Sequence, residues 1–394
     1  MNYDSLLSER AKSIAPSGIR KFFDIVSEMK DAISLGVGEP DFVTPWHIRN
    51  EAIYSLEKGR TYYTSNAGLL ELRRELSLYM ERKISVSYDP EKEILVSVGG
   101  SEAIDLCVRA LVNPGDEVLV PEPSFVCYKP CAILAGATPV PIVTKNEDAF
   151  KLTAEALRAA ITPKTKLLVL PYPNNPTGGI MKREELEEIA KVLRETNVFV
   201  LSDEIYGELT YGLNHTSIAS LPGMRERTVV VNGFSKSYAM TGWRLGWAAA
   251  PREIMQQMLK IHQYAIMCSP TASQYAAIEA IKNGDEDIAR MREEYNYRRK
   301  VIVEGFRKMG LSCFEPEGAF YVFPSVSVTG LSSDAFAEKL LRSEKIAVVP
   351  GTAFGDSGEG FIRCSYAYSI ASINEALERI DRFVNGKGVE ASCQ

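Results

Sequence analysis

This chain of 394 residues contains little histidine and has no excess of basic over acidic residues. The three histidines, His47, His215 and His262, lie far apart and show no metal-ligand spacing, so we expect no metal site. Lysine and arginine number 45 against 51 aspartates and glutamates, which gives a formal net charge of -6. Because a nucleic-acid surface requires a basic patch, we expect no nucleic-acid partner.

Cysteine pairs and long apolar runs are also missing. The seven cysteines include no C-x-x-C pair, so they are expected to be reduced, mostly buried thiols of a cytoplasmic protein. No apolar run reaches the roughly 20 residues that cross a bilayer, so we expect no membrane partner. Residues 1–30 carry scattered charges, among them Asp4, Glu9 and Arg10, and we expect no signal peptide there.

What the chain does contain is a regular alternation of strand-like and helical segments, and its length predicts about two domains. Residues 45–285 are predicted to form a large α/β domain, because alternation of this kind indicates a mostly parallel sheet with helices on both faces. The predicted elements are strands at 94–98, 117–120, 138–143, 166–171, 198–202 and 228–231, with helices from Ser101 and over 183–196.

The pattern changes after residue 285. Residues 16–44 and 286–394 are predicted to form a smaller α+β domain, and residues 1–15 an amphipathic N-terminal arm. The predicted elements of the smaller domain are helices at 18–30, 286–309, 333–344 and 373–385 and strands at 319–323 and 361–366.

The segment that carries most chemistry begins where the predicted strand 228–231 ends. Lys236 lies there in a turn rich in Gly and Ser, and Arg244 follows eight residues later. Lysine amines form Schiff bases with carbonyl compounds, and a hydroxyl with a guanidinium can hold a phosphate. The alternative is a solvated surface lysine, which is favoured unless other segments supply the rest of a site.

Three other predicted strand ends carry unusual residues, and ligands of open α/β sheets bind beyond such ends. Gly100 and Ser101 begin a helix whose free N–H groups suit a phosphate, although Gly-Gly before a helix is also an ordinary turn. The loop 173–179 is either a plain turn or a stiff support for an amide side chain. Asp203 ends an apolar strand, where it needs a cation such as a protonated pyridine nitrogen, unless it caps a helix.

Jointly these segments resemble the class I/II aminotransferases, enzymes of fold type I that use pyridoxal 5′-phosphate. The most specific are Asn-Pro-Thr-Gly at 175–178 and Ser-Lys-x-x-x-Met-Thr-Gly-Trp-Arg at 235–244. The resemblance covers essentially the whole chain and is strongest to the aromatic and aspartate aminotransferases of bacteria and archaea, including the aminotransferase A-like proteins of bacilli. It implies a homodimer that transfers an amino group from an L-amino acid to a 2-oxo acid by a ping-pong mechanism.

The resemblance also implies roles for individual residues around the cofactor. Lys236 would form the covalent bond to it and later move the substrate proton. Asp203 would pair with the pyridine nitrogen, and Tyr206 and Asn175 would hydrogen-bond the phenolic oxygen. Phe125 matches an aromatic residue that stacks on the pyridine ring; the alternative for it is a place in the core.

Further matches concern the phosphate and the substrate. The residues that match the phosphate contacts are Gly100, Ser101, Ser235 and Arg244. Tyr63 matches a tyrosine that reaches the phosphate from the partner subunit. Arg363, Gly38 and Asn175 match contacts to the substrate α-carboxylate; the alternative for Arg363 is a solvent-exposed salt bridge.

Two positions depart from the family's pattern. Gly233 stands three residues before Lys236, where many relatives have a serine for the phosphate, and Tyr172 replaces the asparagine that often opens the 173–179 loop. Both indicate a variant arrangement of the phosphate site and the loop rather than lost activity.

Two other functions stay open at this point. A carbon–sulfur lyase or related synthase on the same fold would use the same lysine, aspartate and arginine. A regulator that binds pyridoxal phosphate would need an additional N-terminal DNA-binding domain, whereas the aminotransferase pattern here starts by about residue 17 and the chain is acidic.

The sequence favours phenylalanine or tyrosine as amino donor, with 2-oxoglutarate as acceptor, over aspartate. A second substrate carboxylate needs a cation in addition to Arg363, and no motif forces Arg20, Lys21 or Arg109 into the site. An aromatic side chain needs an apolar, adaptable pocket. The segments expected near the entrance contribute Ile19, Phe22, Val37, Tyr62 and Tyr128.

Overall fold

The computed structural model describes Met1, residues 3–16, Gly18 and residues 31–386. Apart from Gly18, the helix predicted over 18–30 lies outside the described residues. The same holds for the substrate-site candidates Ile19, Arg20, Lys21 and Phe22.

The described residues form short N-terminal turns followed by alternating strands and helices. The strands are β1 (Ile33–Ser34), β2 (Ile94–Ser97), β3 (Glu117–Glu122), β4 (Thr138–Val143), β5 (Thr165–Leu170), β6 (Phe199–Asp203), β7 (Thr228–Gly233), β8 (Gly246–Ala249), β9 (Tyr321–Val322), β10 (Ile346–Ala347), β11 (Val349–Pro350) and β12 (Ile362–Ser365). The helices are Glu9–Lys12, Trp46–Glu57, Leu70–Ile84, Gly100–Leu111, Tyr128–Ala135, Ala154–Ala160, Arg183–Arg194, Arg252–Ala265, Thr271–Asn283, Asp285–Lys308, Ser333–Glu344 and Ile370–Asn385.

The central element is a seven-stranded sheet with the strand order β2-β8-β7-β6-β5-β3-β4. The strands from β3 to β7 pair in parallel, whereas β8 is antiparallel to both β7 and β2. β2, β6 and β7 are buried almost throughout, since their valines, leucines and isoleucines face helices on both sides. The predicted α/β class with a mostly parallel sheet is confirmed.

The prediction missed β8, which closes the antiparallel edge of this sheet. Its sequence, Gly-Trp-Ala-Ala, is poor in the β-branched residues that indicate a strand. The strand forms because all four of its residues are buried between β2 and β7. Tertiary packing therefore overrides local propensity here.

The helix Arg183–Arg194 illustrates how the covering layer is specified. The backbone N–H of Lys182 donates to the Glu185 side chain, which satisfies one donor at the helix start. Four apolar residues recur at helical spacing and are buried against the sheet, and the opposite face carries the charges. They are Leu186, Ile189, Ala190 and Leu193.

A second apolar core joins the short strands of the C-terminal half to three helices. β11, β12 and β9 form an antiparallel sheet, and β1 pairs in parallel with β10. The strand predicted over 319–323 is only Tyr321–Val322, because Ala319 has φ 57°, a left-handed conformation that a strand cannot contain. The division into an arm at 1–15, a small domain at 16–44 and 286–394 and a large domain at 45–285 stays a prediction.

Close contact between two backbones fixes the start of the helix Gly100–Leu111. A Cβ atom at Gly246, the first residue of β8, would lie 2.5 Å from the carbonyl carbon of Gly99 and 2.6 Å from the nitrogen of Gly100. Gly99 itself precedes the helix with φ 79°. The helix N-terminus can therefore approach the start of β8 only because no side chain stands between them.

We predict that Gly246→Ala lowers the free energy of unfolding by about 2 kcal/mol or more, because the clashing atoms belong to backbone and cannot rotate away. Gly242→Ala is the matched control, since nothing lies within 4 Å of a Cβ there. Its effect should stay within about 0.5 kcal/mol. Urea unfolding of the two variants is the measurement, and equal stabilities would contradict the prediction.

Candidate active site

A cavity of about 400 Å³ opens at the carboxyl ends of the parallel strands. The predicted site residues that line it are Gly38, Gly100, Ser101, Phe125, Asn175, Asp203, Tyr206, Ser235, Lys236, Arg244 and Arg363. Tyr63 does not line the cavity, and its side chain is 81% exposed. Parallel strands bring these residues together because their carboxyl ends share one edge of the sheet.

Lys236 lies three residues beyond the end of β7 and is largely enclosed, so it is not a solvated surface lysine. Its Nζ donates a hydrogen bond to the carbonyl of Gly38 at 2.5 Å. Burial lowers the pKa of Lys236 to about 8, and the positive charge of Arg363 acts in the same direction. A substantial fraction of the amine is consequently neutral, and hence nucleophilic, in mildly alkaline solution.

Asp203, the last residue of β6, lies on the floor of the cavity with its side chain buried. Its Oδ1 accepts from the backbone N–H of Ile205 at 3.2 Å, and a turn rather than a helix follows it. Burial raises the pKa of Asp203 to about 6, against the opposing effect of a hydrogen bond from Tyr128. The carboxylate has no cationic partner within ion-pair distance in the described part of the chain.

Tyr128, expected near the entrance as part of an apolar substrate pocket, does line the cavity. Its side chain is buried, and its hydroxyl donates to Oδ2 of Asp203 at 2.7 Å. Phe125 packs edge-on against the Tyr128 ring, with a centroid distance of 6.1 Å, while it also faces the cavity. The helix that begins at Tyr128 thus supports the carboxylate from below.

Tyr206 brings a hydroxyl to the opposite side of the cavity. The ring is buried, and its hydroxyl oxygen lies 2.8 Å from that of Tyr321. Burial raises the pKa of Tyr206 well above its ordinary value, so the phenol keeps its proton. Tyr321 had no assigned role in the sequence, because no signal in its own segment indicates a partner 115 residues away.

In the loop 173–179, Asn174 stabilises the loop itself, whereas Asn175 lines the cavity. Oδ1 of Asn174 accepts from the hydroxyl of Thr177 at 3.0 Å and from its backbone N–H at 3.2 Å. Oδ1 of Asn175 accepts from Nη1 of Arg363 at 2.9 Å. Tyr172, which departs from the family's pattern, is buried and donates to the carbonyl of Phe150 at 3.0 Å, so it anchors the start of the loop.

Arg363, on β12, is 2% exposed and is therefore not a solvent salt bridge. Besides Asn175 it donates to the carbonyl of Gly36, and its guanidinium lies over the rings of Tyr321 and Phe354 at 4.5 and 4.9 Å. Its Nε is buried without a hydrogen-bond partner, and no carboxylate of the described residues forms an ion pair with it. A buried guanidinium with a free donor is suited to an anionic ligand.

The end of the cavity beside the helix Gly100–Leu111 carries several hydrogen-bond donors. Ser101, Ser235 and the N-terminal backbone of the helix line it, together with Arg244. A Cβ at Gly99 would lie 2.5 Å from Nη2 of Arg244, so the guanidinium reaches the helix start over a bare backbone.

Gly233, the other departure from the family's pattern, is explained by strand packing. A Cβ there would lie 3.0 Å from Cα of Gly246 and 3.1 Å from the carbonyl of Leu245. A serine at this position would require β7 and β8 to move apart by a few tenths of an ångström. Its absence leaves Ser235 as the serine of this turn that lines the cavity.

Of the remaining candidates for the substrate site, one lies in the cavity and two lie outside it. Val37 lines the cavity. Tyr62 is 79% exposed and does not line it. Arg109 lies on the exposed surface of its helix, where its Nε pairs with Asp105 at 2.8 Å, so it supplies no cation to the site.

Residues 30–380 match the family model for aminotransferase class I and II. This chain therefore belongs to the class I and II aminotransferases and is an enzyme of the transferase type. It is 55% identical to the Bacillus subtilis (strain 168) protein YugH, whose name marks it as a candidate aminotransferase, over 97% of this chain and 99% of that protein.

Relatives with named substrates are similar over the same length. An aspartate aminotransferase of Pyrococcus abyssi is 45% identical over 97% of this chain and 99% of its own. The solved aromatic aminotransferase from Pyrococcus horikoshii OT3 superimposes with a TM-score of 0.90 at 43% identity, covering 94% of this chain and 100% of its own. The fold-type-I prediction is confirmed.

Asp203 predicts a pH dependence of stability in the cofactor-free protein. Its pKa of about 6 in the folded protein exceeds the value of about 3.9 for an unfolded aspartate, so the folded protein binds the proton more tightly. The free energy of unfolding should therefore fall as the pH rises from about 4 to about 6, by about 3 kcal/mol at most. Asp203→Asn should remove this fall in urea unfolding experiments.

Tyr128→Phe is the companion variant, because it removes a donor that stabilises the ionised carboxylate. It should raise the pKa of Asp203 and extend the fall in stability above pH 6. An Asp203→Asn protein that keeps the wild-type dependence on pH would contradict the assignment of this effect to Asp203.

Proposed function

We propose that this enzyme is a pyridoxal 5′-phosphate-dependent aminotransferase that moves an amino group from an L-amino acid, preferably aromatic, to a 2-oxo acid such as 2-oxoglutarate. The observation that carries the proposal is the shared cavity of Lys236, Asp203 and Arg363. Asp203 and Arg363 are buried and Lys236 is largely enclosed, and none of the three has a charged partner from the described residues at ion-pair distance. An amine, a carboxylate and a guanidinium in one cavity suit a carbonyl cofactor and a carboxylate substrate.

The residues present fit this cofactor. Ser101, Ser235, Arg244 and the start of the helix Gly100–Leu111 would hold its phosphate. Asp203 would pair with the pyridine nitrogen. Lys236 would hold the cofactor through its amine nitrogen.

Phe125, which lines the cavity, would contact the pyridine ring. Tyr206 and Asn175 would contact the phenolic oxygen. When bound, the cofactor supplies an electron sink for the negative charge that develops at the substrate Cα.

The protein's own groups account for binding and proton movement. Arg363 and Asn175 would bind and orient the substrate carboxylate, for which the guanidinium Nε is free. The neutral Nζ of Lys236 would accept the proton from the substrate Cα and deliver it to the carbonyl-derived carbon of the cofactor. Asp203 would keep the ring nitrogen protonated, because a buried carboxylate without another cation strongly favours a positive partner.

A ping-pong order of reaction is favoured because the described cavity offers one arginine, Arg363, to a substrate carboxylate. Arg363 is the one cation of the described cavity that is free for a substrate carboxylate, since Arg244 lies at the phosphate end and Lys236 serves as base. Donor and acceptor would then occupy the same place in turn. The keto acid formed from the donor must leave before the second keto acid enters.

An aromatic donor is favoured over aspartate for the same reason. Among the described lining residues no further cation is available for a second carboxylate, and Arg109 is paired elsewhere. Val37 and Ile205 add apolar surface to the cavity. The relatives differ in the substrates that their names give, among them aspartate, aromatic amino acids and N-acetyl-LL-diaminopimelate, so the names do not decide between the donors.

We also propose that the enzyme is a cytoplasmic homodimer whose sites lie at the subunit interface. Tyr62, Tyr63 and Tyr264 are 79%, 81% and 87% exposed, a concentration of aromatic surface that is unusual on a monomer. Their segments are joined by a hydrogen bond of 2.7 Å from Thr271 to the carbonyl of Tyr62. Tyr63 would reach the phosphate bound by the partner subunit. An active monomer in sedimentation at assay concentration would exclude this assembly.

The cysteines support the cytoplasmic location. The six in the described residues are free thiols.

The function is tested with a panel of amino acids and two readouts. Phenylalanine, tyrosine and aspartate are each assayed against 2-oxoglutarate, with steady-state kcat/KM and identification of the products. We expect the keto acid of each donor with glutamate, and the highest kcat/KM for the aromatic donors. Aspartate ahead of both by more than about 100-fold, some 2.7 kcal/mol, would overturn the aromatic preference. Ammonia and a 2-oxo acid released from a β-thioether amino acid, without glutamate, would indicate the lyase instead.

Arg363→Lys extends the same assay to the carboxylate site. The variant keeps a positive charge but loses the planar pair of donors, so kcat/KM should fall by about 100-fold through both KM and kcat. Arg109→Lys, at a paired surface arginine outside the cavity, is the matched control and should leave the kinetics unchanged. An unchanged kcat/KM in Arg363→Lys would show that another group binds the carboxylate.

A further inference from the structure

Tyr321 contacts both halves of the site although no role has been assigned to it. Its hydroxyl lies 2.8 Å from that of Tyr206, on the cofactor side. Its ring lies beneath the guanidinium of Arg363, with Cζ 4.5 Å from the ring centroid, on the substrate side. The side chain is 1% exposed, so neither contact is exchanged with water.

The backbone holds Tyr321 in place for these contacts. The carbonyl of Ala319 accepts hydrogen bonds from the hydroxyls of Tyr211 and Tyr366, which fixes the segment before the strand. β9 pairs antiparallel with β12, with Tyr321 opposite Ser365. Arg363 is two residues from Ser365 on the same face, so tyrosine and arginine form a diagonal cross-strand pair.

The number of protons on the two phenols determines which one donates in the contact between Tyr206 and Tyr321. A phenol has one proton to donate and can accept through its oxygen. If the proton of Tyr206 points to the phenolic oxygen of the cofactor, as the proposed function requires, Tyr206 can only accept from Tyr321. Burial raises the pKa of Tyr321, so its hydroxyl retains the proton that it must donate.

We propose that Tyr321 is a positioning residue for both ligands: its hydroxyl donates to Tyr206 and strengthens the donor that faces the cofactor, while its ring supports the guanidinium that binds the substrate carboxylate. The inference rests on the proposed function. Hydrogen bonds in a chain polarise one another, so a donor to Tyr206 makes Tyr206 a better donor in turn. The ring adds a cation–π contact and blocks the face of the guanidinium from water.

The two contacts can be separated by two substitutions. Tyr321→Phe keeps the ring and removes only the hydroxyl. Tyr321→Leu removes both the hydroxyl and the aromatic face. A comparison of the two therefore assigns each effect to one part of the side chain.

The hydroxyl is tested by the visible absorption of the cofactor-loaded enzyme without substrate. This absorption changes with pH, and the pH at the midpoint of the change reports the proton affinity around the phenolic oxygen. A hydrogen-bond donor to that oxygen lowers the midpoint. Tyr206→Phe should raise it by about one pH unit or more, and Tyr321→Phe by about half a unit. The double variant should match Tyr206→Phe alone, because Tyr321 acts through Tyr206.

The ring is tested by the split between KM and kcat. Tyr321→Phe should lower kcat while KM for the amino acid stays within about twofold. Tyr321→Leu should in addition raise KM about tenfold, the scale of a desolvated cation–π contact. Thermal unfolding of the cofactor-free variants separates these effects from a general loss of structure.

The outcomes distinguish this inference from the proposed function. A wild-type protein that shows no visible band with pyridoxal phosphate would overturn both. An unmoved midpoint in Tyr321→Phe, or a midpoint shift that adds fully to that of Tyr206→Phe, would overturn the relay alone. Equal KM values in Tyr321→Phe and Tyr321→Leu would overturn the role of the ring.

Discussion

Desolvation of unpaired charges is the constraint on which this site depends. Asp203 and Arg363 are both almost fully buried, yet neither meets an opposite charge among the described residues. Burying an ion without its counterion costs several kcal/mol, and a protein accepts that cost where a ligand supplies the counterion. The shifted pKa values of Asp203 and Lys236 express the same cost as a weakened preference for the charged form. The cavity is therefore complementary to a cationic ring nitrogen and an anionic carboxylate.

The polar groups around these charges restrict where the ligands can lie. Tyr128 and the N–H of Ile205 orient the Asp203 carboxylate, and Asn175 orients Arg363. None of these neighbours carries a compensating charge, so they position the ions without neutralising them. An arrangement of this kind preorganises electrostatic stabilisation, because the oriented groups do not have to move as charge develops during the reaction.

Bare backbone makes the geometry possible. Gly99, Gly233 and Gly246 stand where β7, β8 and the start of the helix Gly100–Leu111 meet. A side chain would clash with backbone at Gly246, would meet the Arg244 guanidinium at Gly99 and would be tightly packed at Gly233. The end of the cavity beside this helix is thus built by close packing of main chain. This packing also explains why a glycine replaces the serine found three residues before the lysine in many relatives.

The sequence by itself determined the α/β class, the positions of most long buried strands and many of the residues that line the cavity, whereas Tyr321 was missed and the predicted Tyr63 does not line it. It could do so because strand ends followed by Gly, Ser, Asn or Asp are local signals, and because the carboxyl ends of parallel strands must share one edge. Only the tertiary structure decided which groups touch. Tyr128 meets Asp203 across 75 residues and Tyr206 meets Tyr321 across 115, and β8 forms from residues of low strand propensity. These features depend on burial between distant segments, whose free energy is absent from any local pattern of residues.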